Sequence, residues 1–215
     1  NLCPKKMAKE RETNLGKYLR SGFEGIDKKC ILPTHDDIIN SSHYVELFQL
    51  YNGLGGITPH IPFGIKSNHI DFYINGNILE LDEENHFTRY RLLSLEMPIY
   101  INSNILSKEN YKKYCLKNES RAQQHAGYWT NDSCEKMFGK AALNGSFSKN
   151  GSPRWKQRAF YDTLKDYFSL VSDIKVKRIS IYDNIDINGQ KQSINEVLKV
   201  YNPNYTQSLL SAIKF

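Results

Sequence analysis

The chain has 215 residues, of which 40% are hydrophobic and 24% charged, with a net charge of +6. That length and apolar content give a sizeable core and exclude a disordered chain. No run of about 18 apolar residues occurs, so an apolar membrane-spanning helix is not expected. The basic balance makes an anionic partner an expectation, not a conclusion. No secretory leader pattern is visible. The chain begins at Asn1, and further residues are expected upstream of it. The cysteines at 3, 30, 115 and 134 form no Cys-x-x-Cys pair and read as reduced thiols of a cytoplasmic protein.

Residues 4–21 are basic and carry Leu15, Tyr18 and Leu19 at helical spacing, which predicts a helix. A solvated helix is favoured there over a phosphate-facing one. Cys30 to Pro33 reads as a short apolar connection. Residues 42–52 read as a helix with Tyr44, Leu47, Phe48 and Tyr51 on one face, ended by Asn52-Gly53. Gly53-Leu54-Gly55-Gly56 lacks the Lys-Ser/Thr ending of a phosphate loop and reads as a turn.

The chain is organised around residues 69–86, where two apolar runs flank Asn75-Gly76. Asn-Gly between such runs predicts a two-residue hairpin, and the loop length fixes the register. Ile74 then faces Asn77, Phe72 faces Leu79, Asp71 faces Glu80, and His69 faces Asp82. Alternation places Ile70, Phe72, Leu79 and Leu81 on one face and Asp71, Glu80 and Asp82 on the other. Asp71 and Glu80 form a non-hydrogen-bonded pair, where like charges stand close and repel. A divalent cation held by oxygen ligands would offset that repulsion.

After the hairpin, residues 86–91 interleave cations with aromatics, and Pro98 to Ile101 reads as a short strand. Residues 103–152 read as an insertion, with a helix carrying Tyr111, Tyr114 and Cys115 and a short helix at 133–142. Cys115, His125 and Cys134 are three candidate zinc ligands, but no fourth stands at a standard spacing. Buried or idle thiols are the favoured reading. Pro153 opens an amphipathic helix whose stripe is Trp155, Ala159, Phe160, Leu164, Tyr167 and Phe168. Residues 176–182 read as a strand, and residues 192–215 as two short helical segments around Asn202-Pro203.

Converging carboxylates with nearby cations suit metal-assisted attack of water on a phosphodiester. Asp71 and Glu80 would bind the metal, and His86 is a candidate general acid or base. The order of elements also resembles a known family. Ile70-Asp71-Phe72, Leu79 to His86, the helix with Arg158 to Leu164, and the strand 176–182 look like the PD-(D/E)XK nuclease superfamily, nearest its very-short-patch-repair-like endonuclease branch. The resemblance covers about residues 62–101 and 153–183. Gln157 to Tyr161 also fits a Gln-x-x-x-Tyr pattern of RecB-type nucleases.

That resemblance implies an α/β restriction-endonuclease-like fold, a mixed sheet flanked by helices, with a core at about 42–101 and 153–183. It implies Mg²⁺ or Mn²⁺ as cofactor and DNA as partner. Asp71, Glu80 and Asp82 would be the metal ligands, with His86 and Gln157 completing the catalytic set. Arg89, Arg91, Lys156 and Arg158 would meet phosphates, and the insertion would choose the substrate. Three departures stand out. Asp82 occupies the motif's usual Lys position, so the cation must come from Lys156 or elsewhere; Glu83 replaces a Gly of the branch; and the insertion is longer than usual. The function expected is a metal-dependent DNA endonuclease in restriction, repair or phage defence, with no membrane partner. The oligomeric state is open, with a homodimer as one option. The alternatives are a non-catalytic nucleic-acid-binding or assembly module on the same fold, or a protein–protein adaptor whose carboxylates are simply solvated.

Overall fold

The computed structural model describes residues 4–27, 32–34, 37–38, 40–62, 70–125 and 129–215. His69, Cys3, Cys30 and the side chain of His125 lie outside the described residues. Helix α1 (Pro4–Gly22) is followed by β1 (Ile26–Asp27), α2 (Tyr44–Gly53) and the hairpin β2 (Phe72–Ile74) and β3 (Asn77–Asp82). A 3-10 turn (Glu84–His86) leads to α3 (Arg89–Ser94), α4 (Lys108–His125), α5 (Asp132–Phe138) and α6 (Pro153–Val171). The chain closes with β4 (Val176–Ser180), β5 (Asn184–Ile187), β6 (Gln190–Ser193), α7 (Ile194–Lys199) and α8 (Thr206–Ala212).

The main sheet has the order β1-β2-β3-β4, antiparallel except that β3 and β4 run parallel. This is a mixed α/β architecture. The Asn75-Gly76 loop has φ of 47° and 84°, the two positive values that a type I′ turn requires. It sets the expected register, Phe72 opposite Leu79 and Ile74 opposite Asn77. Residues Ile78 to Asp82 are all buried, as befits a strand covered on both faces. On one face Phe72, Ile74, Leu79, Leu81 and Ile179 pack against Leu15, Tyr18 and Leu19 of α1 and Leu198 and Leu209 of the C-terminal helices. On the other, Ile78 and Val176 pack against Phe160, Leu164, Tyr167 and Phe168 of α6.

Three expectations need correction. Ile70 belongs to the α6-side core, not to the face of Phe72 and Leu79. Strand pairing stops at Phe72, and the chain bends at Asp71, so alternation no longer governs residue 70. Residues 98–100 form a 3-10 turn instead of a strand: Pro98 occupies its first position, and Tyr100 turns inward to donate to Asp166. The short helix of the insertion ends at Phe138, because Gly139 takes φ 77°. A second Asn-Gly hairpin, at Asn188-Gly189 with φ of 52° and 82°, joins β5 to β6.

Residues 103–152 contribute Ile105, Leu106, Tyr111, Cys115, Met137 and Phe138 to the α6-side core. Cys115 and Cys134 are buried free thiols. Cys134 serves the start of α5, where its Sγ lies 3.0 Å from the Asn131 carbonyl. No described helix is long and apolar enough to cross a membrane.

Candidate active site

The bend at Asp71 has a specific cause. The Leu81 N–H donates to Asp71 Oδ2 at 2.8 Å, so the carboxylate takes a position that a ladder carbonyl would otherwise fill. This carries Asp71 to the C-terminal part of β3, beside Glu80. Both residues line an open cleft of about 440 Å³ between the sheet and α6. Helix α6 begins with Ser152, whose hydroxyl accepts from Trp155 N–H, and with Pro153 in its first turn, a pairing suited to helix initiation. Its apolar stripe is buried in the core, and an adjoining stripe of Arg154, Arg158, Tyr161, Asp162 and Lys165 lines the cleft. These positions recur every three or four residues, as one helix face must.

Lys165 donates through Nζ to Glu80 Oε2. Burial pushes the Glu80 carboxyl up to about 7 despite that ammonium, and the neighbouring Asp71 charge acts in the same direction. Glu80 Oε1 is buried without a hydrogen-bond partner. Burial also raises the Asp71 carboxyl, with the Leu81 N–H and Lys165 opposing. Two carboxylates with suppressed ionisation and an orphaned oxygen are an incomplete arrangement by the usual standards of buried polar groups.

His86 faces the same cleft. Its Nδ1 lies 2.8 Å from Asp162 Oδ2 and 3.3 Å from Asp82 Oδ1, and its Nε2 lies 3.1 Å from Arg158 Nη1. A guanidinium can only donate, so Nε2 accepts from Arg158 and the proton sits on Nδ1, directed at Asp162. Burial alone would raise Asp162; the Nδ1–H of His86 and the charge of Arg178 hold it well below the usual carboxylate range. Burial lowers the Arg158 guanidinium.

Below the cleft lies a buried ion network. Arg178 Nη1 donates to Asp82 Oδ1 at 2.7 Å, and its Nε to Asp166 Oδ1 at 2.6 Å. Its Nη2 donates to the Asp162 carbonyl at 3.0 Å. Arg91 joins through Asp166 Oδ2 at 3.2 Å. The parallel β3–β4 register sets Arg178 opposite Glu80, two residues from Asp82 and so on the same face, and this pairing builds the network.

The structure therefore brings together Asp71, Glu80, His86 and Arg158 of the expected set, and moves the others elsewhere. Asp82 is fully buried, paired with Arg178 and in contact with His86, and does not itself line the cleft. Arg91 is 1% exposed and serves the ion network, where no phosphate can reach it. Gln157 is buried one layer behind the cleft, accepting from Arg154 and donating to Tyr161 at 3.3 Å. Lys156 is buried and donates to Asn150 at 2.6 Å. Arg89 is exposed but lies against the insertion, bidentate to Glu119 and 3.7 Å above the Phe147 ring. Residues that sequence reasoning did not place in the site are Lys165, Arg154, Tyr161, Asp162 and Glu83. The polar stripe of α6, written out at spacing 3–4, was the signal that pointed to the four on that helix.

Fold and site thus define a mixed α/β protein with a polar, partly acidic cleft walled by one long helix. Residues 49–200 match the model of a family of unknown function, DUF7255, and the chain belongs to that family. No curated protein and no solved structure matches the chain.

Proposed function

We propose that this chain is a metal-dependent nuclease that hydrolyses internal phosphodiester bonds of DNA. The observation that carries the reading is the Lys165–Glu80 contact beside Asp71. The cation missing from the sequence motif is supplied by a helix distant in the chain. Among the described residues no three His, Cys, Asp or Glu side chains form a group that holds a metal. Mg²⁺ makes a smaller demand, one or two carboxylates with the remaining ligands from water and substrate phosphate. Asp71 and the unpartnered Oε1 of Glu80 fit that demand.

When bound there, the metal would lower the pKa of a water and neutralise charge on the scissile phosphate. The chain's own residues supply the rest. Arg154 and Arg158 draw the anionic backbone into the cleft, and guanidinium groups suit phosphate geometry. Lys165 fixes Glu80 and places positive charge where negative charge develops during attack. Asp162 holds the His86 tautomer, leaving Nε2 as the atom able to take a proton once Arg158 turns to the phosphate.

The test is cleavage of supercoiled plasmid and single-stranded DNA with Mg²⁺ or Mn²⁺, comparing the wild type with Asp71→Ala and Glu80→Ala. Metal-dependent cutting that both substitutions abolish supports the reading. DNA binding without cutting assigns the chain to a non-catalytic binding module instead. Neither binding nor cutting removes nucleic acid from consideration.

A further inference from the structure

Glu83 adds a third carboxylate to the lining of a cleft that already contains Asp71 and Glu80, and Glu84 follows it in the chain. On charge alone, such a wall would repel a phosphate. The structure shows what offsets it. Arg11 of α1 is 4% exposed. Its Nη1 and Nη2 donate to Glu84 at 2.9 and 2.8 Å, and its Nη1 also lies 3.2 Å from Glu83 Oε1. This is the forked pairing in which a guanidinium neutralises carboxylate most effectively.

The clasp also bears on the turn that carries His86. The His86 N–H donates to the Glu83 carbonyl at 3.0 Å, and the Phe87 N–H to the Glu84 carbonyl at 3.2 Å. Helix α1 is itself firmly seated. Leu15, Tyr18 and Leu19 are fully buried, Asn14 donates to the Leu198 carbonyl at 2.9 Å, and Tyr18 accepts from Asn202 N–H at 2.9 Å. Glu83 lies at the junction of the main cleft with a smaller cavity of about 150 Å³ whose far wall is α1, through Ala8, Lys9 and Glu12. Helix α1 lies outside the segment that matches the family, yet it forms one bank of the site.

We propose that Arg11 is a positioning residue of this site: it cancels the charge of Glu83 and Glu84 so that a phosphate can approach Asp71 and Glu80, and it holds the turn that carries His86. The proposal rests on the nuclease reading above and adds to it an N-terminal helix without which the site is incomplete. Its prediction is electrostatic. Arg11→Met raises KM for a labelled single-stranded oligonucleotide about tenfold, with a smaller change in kcat. Arg11→Lys, which keeps the charge and loses the fork, falls between Arg11→Met and wild type. The variant Arg11→Met/Glu83→Gln/Glu84→Gln recovers most of the lost KM, because the carboxylates that needed Arg11 are gone.

A wild type that neither binds nor cuts DNA overturns the nuclease reading and this proposal with it. An active wild type whose Arg11→Met variant is indistinguishable from it overturns this proposal alone. An impaired Arg11→Met that the two added Gln substitutions fail to rescue overturns the charge role in favour of a plain structural strap. Should Arg11→Met fail to fold, Glu83→Gln/Glu84→Gln in the wild-type background carries the test. KM is expected to fall there, and a rise overturns the proposal.

Discussion

Glu80→Gln should stabilise the metal-free protein at neutral and alkaline pH while removing the proposed nuclease activity. Glu80 is 3% exposed, and burial pushes its carboxyl up to about 7 from an ordinary 4.5. A glutamate raised in this way favours the folded state when protonated. Its contribution is fully present below the unfolded pKa and is lost as pH rises through the folded one. The gap between about 7 and 4.5 corresponds to about 3 kcal/mol of stability lost across that window. Glutamine cannot ionise and so escapes the loss. It also leaves the Lys165 ammonium with an amide oxygen in place of a carboxylate, which takes back part of the gain, so the net is about 1–2 kcal/mol above pH ~7. Urea unfolding of both proteins in EDTA, from about pH 5 to about pH 8, measures the difference directly. The advantage of Glu80→Gln should grow with pH across the window. A difference that stays flat, or a variant less stable at every pH, refutes the assignment of Glu80 as a buried carboxyl under strain.

Two further outcomes follow from the same geometry. Arg178→Met leaves Asp82 and Asp166 buried without their main partner. Breaking such a pair costs about 3–5 kcal/mol, which for a domain of this size is a fall in melting temperature of roughly 6–20 °C by circular dichroism. A fall under ~3 °C would show that the network relaxes at little cost. Lys165→Met should lower kcat for DNA cleavage about a hundredfold while DNA affinity changes less than about threefold. Single-turnover kinetics with fluorescence anisotropy separates the two, and an unchanged kcat would remove Lys165 from the chemistry.

Local physics alone determined the hairpin and its register, because Asn75-Gly76 admits the two positive φ values of a two-residue turn. It determined the long helix from Pro153 through its apolar spacing, the short helix over the forties, and the nearness of Asp71 to Glu80. These are outcomes of contacts a few residues apart, and periodicity records them. The Asn188-Gly189 hairpin was equally legible, since its turn uses the same chemistry.

What the fold decided depends on separations the chain does not display. Lys165 reaches Glu80 across 85 positions, Arg178 reaches Asp82 across 96, and Arg11 reaches Glu84 across 73. Asp82 and Arg91 carry the charges of site residues, and only their burial beside partners from other elements makes them structural. A charge is assigned to a cleft or to a core by which opposite charge lies within reach at low dielectric. The sequence supplies the ions, and the packing of α6 and α1 on the two faces of one sheet decides how they pair.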